Sequence, residues 1–152
     1  MLHEFKIVGH RVKLWQRVGE SYEHVLMKAL GYGLYVDEYP NLEIETKVDL
    51  RYKPDLIAWN GGKDFPFWGE CGANSLRKTA WILKHTYTKK LVLFKIGQNS
   101  EQLTKLLRDS VPGRYRPPGR LILVNFVTEI VGLTVSKQIE KVSRDWYSEI
   151  VI

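Results

Sequence analysis

The chain has 152 residues, 44% of them hydrophobic, and a net charge of +6; these values fit one globular domain spanning residues 1–152 and exclude a disordered chain. No apolar run reaches the ~18 residues of a membrane span, and the alternating N-terminus does not have the form of a signal peptide, so we expect no membrane partner and a cytoplasmic protein. A single cysteine excludes an internal disulfide framework.

The first part of the chain predicts strands and one helix. Residues 3–18 alternate polar and apolar side chains, as one or two strands do. Apolar residues then recur at helical spacing between Gly19 and Gly33, with Ser21 as a candidate cap, so we expect a helix there. Residues 42–53 alternate with period two, which is the clearest strand pattern in the sequence. A turn over 60–64 then predicts a hairpin.

The second part of the chain alternates helices and buried strands. We expect a helix over 73–87, a strand over 89–97, a helix over 100–110, a basic loop over 111–120 and a strand over 120–127. Asn74 or Ser75 is the expected cap of the first of these helices, and Ser100 that of the second. The tail, 133–152, is ambiguous between strands and a helical turn. This order predicts an α/β domain in which an antiparallel meander leads into a mixed sheet.

Charge is distributed unevenly along the chain. Residues 73–120 contain eleven Lys or Arg and two acids, whereas the rest contains twelve Lys or Arg and fifteen acids. This asymmetry predicts a basic surface beside a cluster of carboxylates, and nucleic acid as the partner. The candidate contacts are Lys84, Lys89, Lys90, Arg114, Tyr115, Arg116 and Arg120. The alternative is a solvated helix face and loop.

Two acids of the hairpin are candidate metal ligands. The turn over 60–64 places Asp55 near Gly69 and within about one residue of direct opposition to Glu70. A bulge near Pro54 or Gly69 would bring both acids to one face. Two carboxylates so close repel each other unless a cation or a shared proton compensates. The alternative is two ordinary polar residues on a hairpin.

These residues form a pattern of a Pro-Asp pair, a hairpin, an acid on the return strand and a basic helix. The pattern resembles the YaeQ family within the PD-(D/E)XK nuclease superfamily, over roughly residues 20–110. The matching residues are Glu23, Lys28, Pro54, Asp55, Leu56, Glu70, Cys71, Gly72, Arg77 and Lys78. The resemblance implies a restriction-endonuclease-like core, with a mixed central β-sheet flanked by helices.

The resemblance also implies roles for the acids. Asp55 and Glu70, with the Cys71 carbonyl, would hold Mg²⁺ or Mn²⁺, ions that take few protein ligands and keep several waters. Glu23 would reach the ion directly or through water. The metal would activate a water to attack a phosphodiester.

The sequence departs from the superfamily pattern at Gly72, where a lysine normally stands two residues after the acid. The catalytic cation must then come from elsewhere, and Lys78 or Arg77, in the first turn of the next helix, could reach back. An arginine stays protonated and cannot act as a base. Gly72 would otherwise leave space for a longer side chain or for substrate.

The function that follows from this resemblance is metal-dependent hydrolysis of DNA or RNA phosphodiester bonds. Two alternatives remain: a catalytically inactive nucleic-acid-binding module of the same fold, and a basic protein-interaction domain. The sequence leaves open whether the chain is active as an enzyme and whether it forms a homodimer.

Cysteine and histidine chemistry are disfavoured as explanations of function. Cys71 has no histidine near it in sequence, so a buried thiol is a better interpretation than a nucleophile. The four histidines show no zinc-ligand spacing. We expect His24 to lie on the surface and to point away from the acids.

Overall fold

The computed structural model describes all 152 residues and contains one six-stranded sheet. Its strands are, in spatial order, β11 (Tyr147–Val151), β9 (Leu121–Phe126), β8 (Leu91–Ile96), β6 (Phe67–Cys71), β4 (Leu56–Ala58) and β3 (Glu43–Ile44). The strands β6, β8 and β9 run parallel, while β11, β4 and β3 are antiparallel to their neighbours. The sheet is therefore mixed, as the sequence predicted.

Helices cover both faces of this sheet. The helix α1 (Tyr22–Tyr35) packs on one face, and α2 (Leu76–His85) and α3 (Ser100–Ser110) pack on the other. Both faces need an apolar cover because residues 91–94 and 121–124 are buried without interruption. The predicted fold class, an α/β fold with a mixed sheet flanked by helices, is confirmed.

A smaller sheet covers the other side of α1. Its strands β1 (Leu2–Ile7) and β2 (His10–Trp15) form the antiparallel hairpin expected at the N-terminus. The short strand β10 (Gln138–Ile139) pairs with β1 in parallel, so β2 is an edge strand.

Two glycines let α1 lie close to both sheets. A Cβ added at Gly31 would lie 2.7 Å from Leu56 Cδ1 in the central sheet, and one added at Gly33 would lie 2.6 Å from Ile7 Cδ1 in the small sheet. A larger residue at either position would push the helix outward. The glycines thus hold α1 against the strand that follows Asp55.

The predicted strand over 42–53 is wrong for most of its length. Only Glu43–Ile44, the strand β3, pairs with a neighbour. Beyond it the backbone leaves extended geometry, with φ of 59° at Glu45 and 53° at Asp49. The alternation of apolar and polar residues is still present, since Val48 is buried, but no second strand lies alongside to complete a ladder.

The remaining elements are short. The strand β5 (Asp64–Phe65) pairs in parallel with β7 (Tyr87–Thr88), and α4 (Ile130–Leu133) opens the tail that sequence left ambiguous. The cap of α3 is Asn99, whose side chain accepts a hydrogen bond from the first turn at 3.0 Å, and not Ser100 as predicted. None of the helices has the length and apolar character needed to cross a membrane.

The hairpin between β4 and β6 carries the two acids, and its ladder is irregular at Gly69. Leu56 lies opposite Gly69, and the N–H of the preceding Asp55 donates to the same Gly69 carbonyl at 3.2 Å. Two consecutive residues thus face one, as in a β-bulge, which matches the expectation of a bulge near Gly69. A Cβ added at Gly69 would lie 2.9 Å from Leu56 Cβ, so the close approach requires glycine.

Candidate functional site

Asp55 and Glu70 meet where β4 begins and β6 ends. The Asp55 N–H binds the Gly69 carbonyl at 3.2 Å, and the Cys71 N–H donates to Asp55 Oδ2 at 2.8 Å. Asp55 therefore contacts the residues on both sides of Glu70. Each of the two acids changes the pKa of the other, so the predicted proximity of the pair is present.

Glu70 is buried, with 1% of its surface exposed. Its Oε1 accepts hydrogen bonds from Trp68 Nε1 and from Lys78 Nζ, both at 3.0 Å. Burial, and after it the negative charge of Asp55, raises the pKa of Glu70 to about 7 against the opposing effect of Lys78. Near neutral pH this carboxyl is therefore divided between its protonated and ionised forms.

Asp55 has the opposite shift. Burial by itself raises its pKa, but hydrogen bonds from His24 and from the Cys71 amide outweigh burial, and the pKa of Asp55 lies below its ordinary value. The pair thus consists of one carboxylate that stays ionised and one that shares a proton readily, as closely spaced acids do.

Lys78 reaches Glu70 from the first turn of α2. The helix is capped by Ser75, whose Oγ accepts the Lys78 N–H at 3.0 Å, so the lysine starts beside the end of β6. Its ammonium group also lies 5.2 Å from the centre of the Tyr52 ring. Arg77, the other residue predicted to supply a cation, is exposed and forms no ion pair with either acid.

The backbone conformation at Gly72 disfavours a side chain at the position where the resemblance would place a lysine. Its φ of +79° lies in the left-handed region that side chains rarely adopt, and a Cβ there would lie 3.4 Å from the His24 ring. The chain turns sharply as it leaves β6, and His24 occupies the neighbouring space. A lysine at this position would strain the turn.

His24 faces the acids, which corrects the expectation that it points away from them. Its Nε2 lies 3.5 Å from Asp55 Oδ2, and its Nδ1 lies 2.5 Å from Glu20 Oε2. The hydrogen bond with Asp55 is the main cause that raises the pKa of His24, while partial burial opposes it. The prediction failed because α1 packs over the turn at Gly72. The sequence of the helix does not show which part of the chain it packs against.

A fully buried lysine supports this arrangement from behind. Lys28 Nζ binds Glu20 Oε2 at 2.7 Å and also contacts the Glu45 carboxylate. Burial opposes ionisation of both partners, but the hydrogen bond to Lys28 and three further contacts lower the pKa of Glu20 to about 2. The pKa of Lys28 is raised, since its two carboxylate partners outweigh its desolvation.

Glu20, and not Glu23, is the acid of this region that joins the network. Glu23 lies exposed at the rim of the adjoining cavity, and its side chain makes no hydrogen bond or ion pair. The sequence contains a signal for the correct residue, because Glu20, His24 and Lys28 are spaced by four and so lie on one side of the helical path. That spacing was missed.

An open cavity of about 800 Å³ lies in front of Asp55. Its lining includes the cationic side chains Arg17, Lys53 and Lys95, and also Glu20, Glu23, His24 and Cys71. Lys95 extends from β8, and its ammonium group donates to the Gly72 carbonyl. Burial lowers the pKa of Lys95.

The metal-ligand set predicted from the resemblance is small. Asp55, Glu70 and the carbonyl of Cys71 belong to one site, but no three His, Cys, Asp or Glu side chains are grouped so that they could hold a metal ion. Cys71 would contribute only its backbone, since burial raises the pKa of its thiol well above the ordinary value. The site therefore offers two carboxylates and little else from side chains.

The residues predicted to bind nucleic acid lie at the opposite end of the strands. The strand β6 runs from Trp68, beside Leu91, to Cys71, beside Phe94. The acids lie at the second of these ends. Lys84, Lys89, Lys90, Arg114, Tyr115, Arg116 and Arg120 lie on the segments that lead into the first end. The expected basic surface beside the carboxylates is therefore not formed by these residues.

Several of these basic groups already have partners within the fold. Arg120 donates to the carbonyls of Thr88 at 2.7 Å and Tyr115 at 2.8 Å. Arg116 donates to the Val111 carbonyl at 2.9 Å. These guanidinium groups hold the basic loop against the sheet.

The others are more accessible. Lys90 pairs with Glu38 at 3.4 Å. The side chains of Arg114 and Lys84 lie 4.8 Å and 5.6 Å from the centre of the Tyr115 ring, and Lys89 is exposed. These residues keep their predicted role as an expectation.

The class that this architecture defines is an α/β protein with a mixed sheet, a helix-covered core and an acidic pair at a strand end. Two solved structures have the same overall fold. They are the YaeQ protein from Xanthomonas axonopodis pv. citri, with a TM-score of 0.65, 21% identity and coverage of 91% of this chain and 80% of that one, and the YaeQ protein from Pseudomonas syringae, with a TM-score of 0.59, 13% identity and coverage of 92% and 81%.

These similarities extend over nearly the whole chain and agree with the YaeQ resemblance of the hairpin motif. At such low identity they establish the fold. No protein-family profile matches the chain, and no curated protein matches it in sequence.

Proposed function

We propose that this chain hydrolyses nucleic-acid phosphodiester bonds with the help of a divalent metal bound at Asp55 and Glu70. The observation that carries this proposal is the buried acidic pair itself. Asp55 contacts both neighbours of Glu70, and burial together with their mutual repulsion raises the pKa of Glu70 to about 7. Such a pair, with Asp55 lining an open cavity and Glu70 buried beside it, is a functional-site candidate on physical grounds.

The donor set fits Mg²⁺ or Mn²⁺. Asp55 and Glu70 would hold the ion through carboxylate oxygens, with the Cys71 carbonyl as a third oxygen and water completing the shell. The absence of a third acid or histidine in the group is compatible with an ion that keeps several waters. A bound dication would supply Lewis-acid chemistry and a water of lowered pKa.

The chain's own residues provide the remaining functions. Lys78, 3.0 Å from Glu70, offsets negative charge at the buried acid. His24, 3.5 Å from Asp55, orients that carboxylate. Arg17 and Lys95 present cationic groups to the cavity, where a phosphate of the substrate would bind.

A second candidate function is nucleic-acid binding without catalysis. The observation that favours it is that both acids already have basic partners, His24 at 3.5 Å and Lys78 at 3.0 Å. With Gly72 in place of the usual lysine, the chain would keep the fold but would not hydrolyse phosphodiester bonds. A metal would then have to displace existing contacts.

Metal binding and cleavage together distinguish the two functions. Titration with Mn²⁺, followed by calorimetry and by the electron-spin resonance of the free ion, should show one site in the native chain. Asp55→Ala and Glu70→Ala should each weaken it strongly, and Glu23→Gln, a change at the exposed rim of the same cavity, should not. Mn²⁺ binding that survives both alanine changes would overturn the site assignment.

Single-stranded and plasmid DNA, and RNA, should be cut with Mg²⁺ or Mn²⁺ and spared with a chelator. Lys78→Ala should slow cleavage more than it weakens binding, with Arg77→Ala as its matched control on the same helix turn. Nucleic-acid binding without any cleavage under these conditions would support the second candidate.

A further inference from the structure

We propose that single-stranded nucleic acid binds along the outer face of the N-terminal hairpin and enters the cavity past Arg17. This inference rests on the proposed function, because it names the substrate class and the path by which it reaches Asp55. The surface differs from the basic loop at residues 111–120.

The hairpin has one buried face and one exposed face. Opposed residues on β1 and β2 share a face, and the exposed set consists of Leu2, Glu4, Lys6, Arg11, Lys13 and Trp15, called here the hairpin face. The opposite face, with Phe5 and Val12, packs into the core. Three of the six side chains on the hairpin face are basic and one is acidic.

Trp15 is the unusual member of the hairpin face. It is 63% exposed and lies opposite Leu2 at the end of the hairpin. A large ring left in solvent beside basic side chains is the arrangement on which unpaired bases stack while cations follow the phosphates. Since the Trp15 side chain is largely exposed, packing into the core of this chain does not explain a tryptophan at this position.

A groove connects the hairpin face to the cavity. It has a volume of about 510 Å³, lies between the edge strand β2 and the short strand β3, and is lined by Arg11, Lys13 and Trp15 among others. Arg17 and Glu45 line both this groove and the cavity in front of Asp55. A strand lying in the groove would therefore continue into the cavity that Asp55 lines.

The cations along this path are available to phosphates. Arg11 pairs with Glu4 at 3.3 Å and Arg17 with Glu45 at 3.7 Å, in both cases with an arginine that is largely exposed. Such surface pairs contribute about 0–1 kcal/mol, so a phosphate can replace the carboxylate at little cost. Lys13 forms no ion pair.

Charge favours nucleic acid over a second copy of the chain as the occupant. In a symmetric dimer the same patch meets itself, so Lys6, Arg11 and Lys13 would face their own copies. Single strands are favoured over duplexes because a base must be unstacked before it can lie on Trp15.

The binding test uses the full chain in a chelating buffer, so that cleavage cannot occur. The probe is a fluorescently labelled single strand of roughly 15 nucleotides, of DNA or RNA, followed by anisotropy, with the quenching of tryptophan emission as a second readout. Trp15→Ala should raise the Kd by about 10-fold and Trp15→Phe by much less, since a phenyl ring still stacks. Lys13→Ala should weaken binding and flatten its dependence on salt.

Arg144→Ala is the matched control and should leave binding unchanged, because it removes an exposed arginine 5.0 Å from the centre of the Tyr147 ring, on the sheet edge opposite β3. Arg114→Ala tests the basic loop as the rival surface. If Trp15→Ala binds as tightly as the native chain while Arg114→Ala binds weakly, the path is overturned. A monomeric Trp15→Ala obtained from a dimeric native chain, with unchanged nucleic-acid affinity, would assign the hairpin face to self-association and also overturn it. Binding is measured without metal and without turnover, so weakened binding by Trp15→Ala supports the path even if no cleavage is found.

Discussion

His24 Nε2 lies 3.5 Å from Asp55 Oδ2, and this contact joins the first helix to the end of the central sheet. The other ring nitrogen of His24 contacts Glu20, whose carboxylate binds the buried Lys28. Side chains of alternating charge, Lys28, Glu20, His24 and Asp55, thus connect the buried side of α1 to the acidic pair. A change at one member should therefore affect stability, ionisation or metal binding at the others.

Lys28→Met should destabilise the fold strongly. The change keeps most of the side-chain volume but leaves Glu20 and Glu45 without their buried cation, which costs about 3–5 kcal/mol when one partner of a buried pair is removed. Urea unfolding followed by circular dichroism measures the loss. Lys47→Met, at an exposed lysine, is the control and should change the unfolding free energy by less than about 0.5 kcal/mol. Equal effects at the two lysines would contradict the role given to Lys28.

Glu70 should make stability depend on pH in a defined direction. Its pKa rises from 4.5 to about 7 on folding, so the folded state binds the proton more tightly than the unfolded chain. The stabilisation is complete below pH 4.5 and is lost as the pH rises through about 7, an effect on the order of 3 kcal/mol.

The measurement compares the unfolding free energy of the native chain with that of Glu70→Gln between pH 4 and 8. The difference removes the contribution of Glu20, whose lowered pKa acts in the opposite direction in both proteins, and reports Glu70 together with its coupling to Asp55. A difference that is flat with pH, or that grows in favour of the native chain as the pH rises, would show that the ionisation of Glu70 is wrongly assigned.

Gly72→Lys, which places a lysine two residues after Glu70 as in the superfamily that the sequence resembles, should not create a working lysine there. The backbone φ of +79° strains any side chain there, and its Cβ would lie 3.4 Å from the His24 ring. We expect a loss of about 1–3 kcal/mol and no gain in cleavage. Gly132→Ala is the control, because no atom lies within 4 Å of the added carbon and its φ is not in the left-handed region. A stable and more active Gly72→Lys protein would refute this explanation.

Arg120→Ala should act on stability more than on nucleic-acid binding. Its guanidinium donates hydrogen bonds to the carbonyls of Thr88, Tyr115 and Thr86, and each bond from a charged group contributes about 1.5–3 kcal/mol. Thermal unfolding measures the change in stability, and fluorescence anisotropy measures the change in nucleic-acid binding. Lys89→Ala, at an exposed neighbouring lysine, is the comparison variant. Weaker binding at unchanged stability would return Arg120 to its predicted role.

Much of the fold follows from local patterns. The continuous apolar runs at 91–94 and 121–124 predicted buried strands, and these strands pair in parallel within the central sheet. The stripe after Ser21 predicted α1, and the Asn-Gly turn predicted the hairpin of β4 and β6. The alternation over 42–53 was misleading, since period two reports burial on one side and a strand also requires a neighbour.

The candidate site depended far more on tertiary structure. Sequence reasoning brought Asp55 and Glu70 together because a hairpin is a local structure whose register follows from its turn, and it reached Lys78 because that lysine begins the next helix. The contact of His24 with Asp55 was missed, since the histidine comes from α1, an element remote in the chain that meets the hairpin at the turn of Gly72.

The sequence by itself determined most of the helices and strands, the fold class and the acidic pair, since each depends on residues close together along the chain. The tertiary structure decided which charges surround that pair, where the basic loop lies and what the N-terminal hairpin exposes. The physical reason is that a pKa, an ion pair or a groove depends on distances of a few ångströms between segments far apart in sequence. Those distances are set only when the two sheets pack against α1.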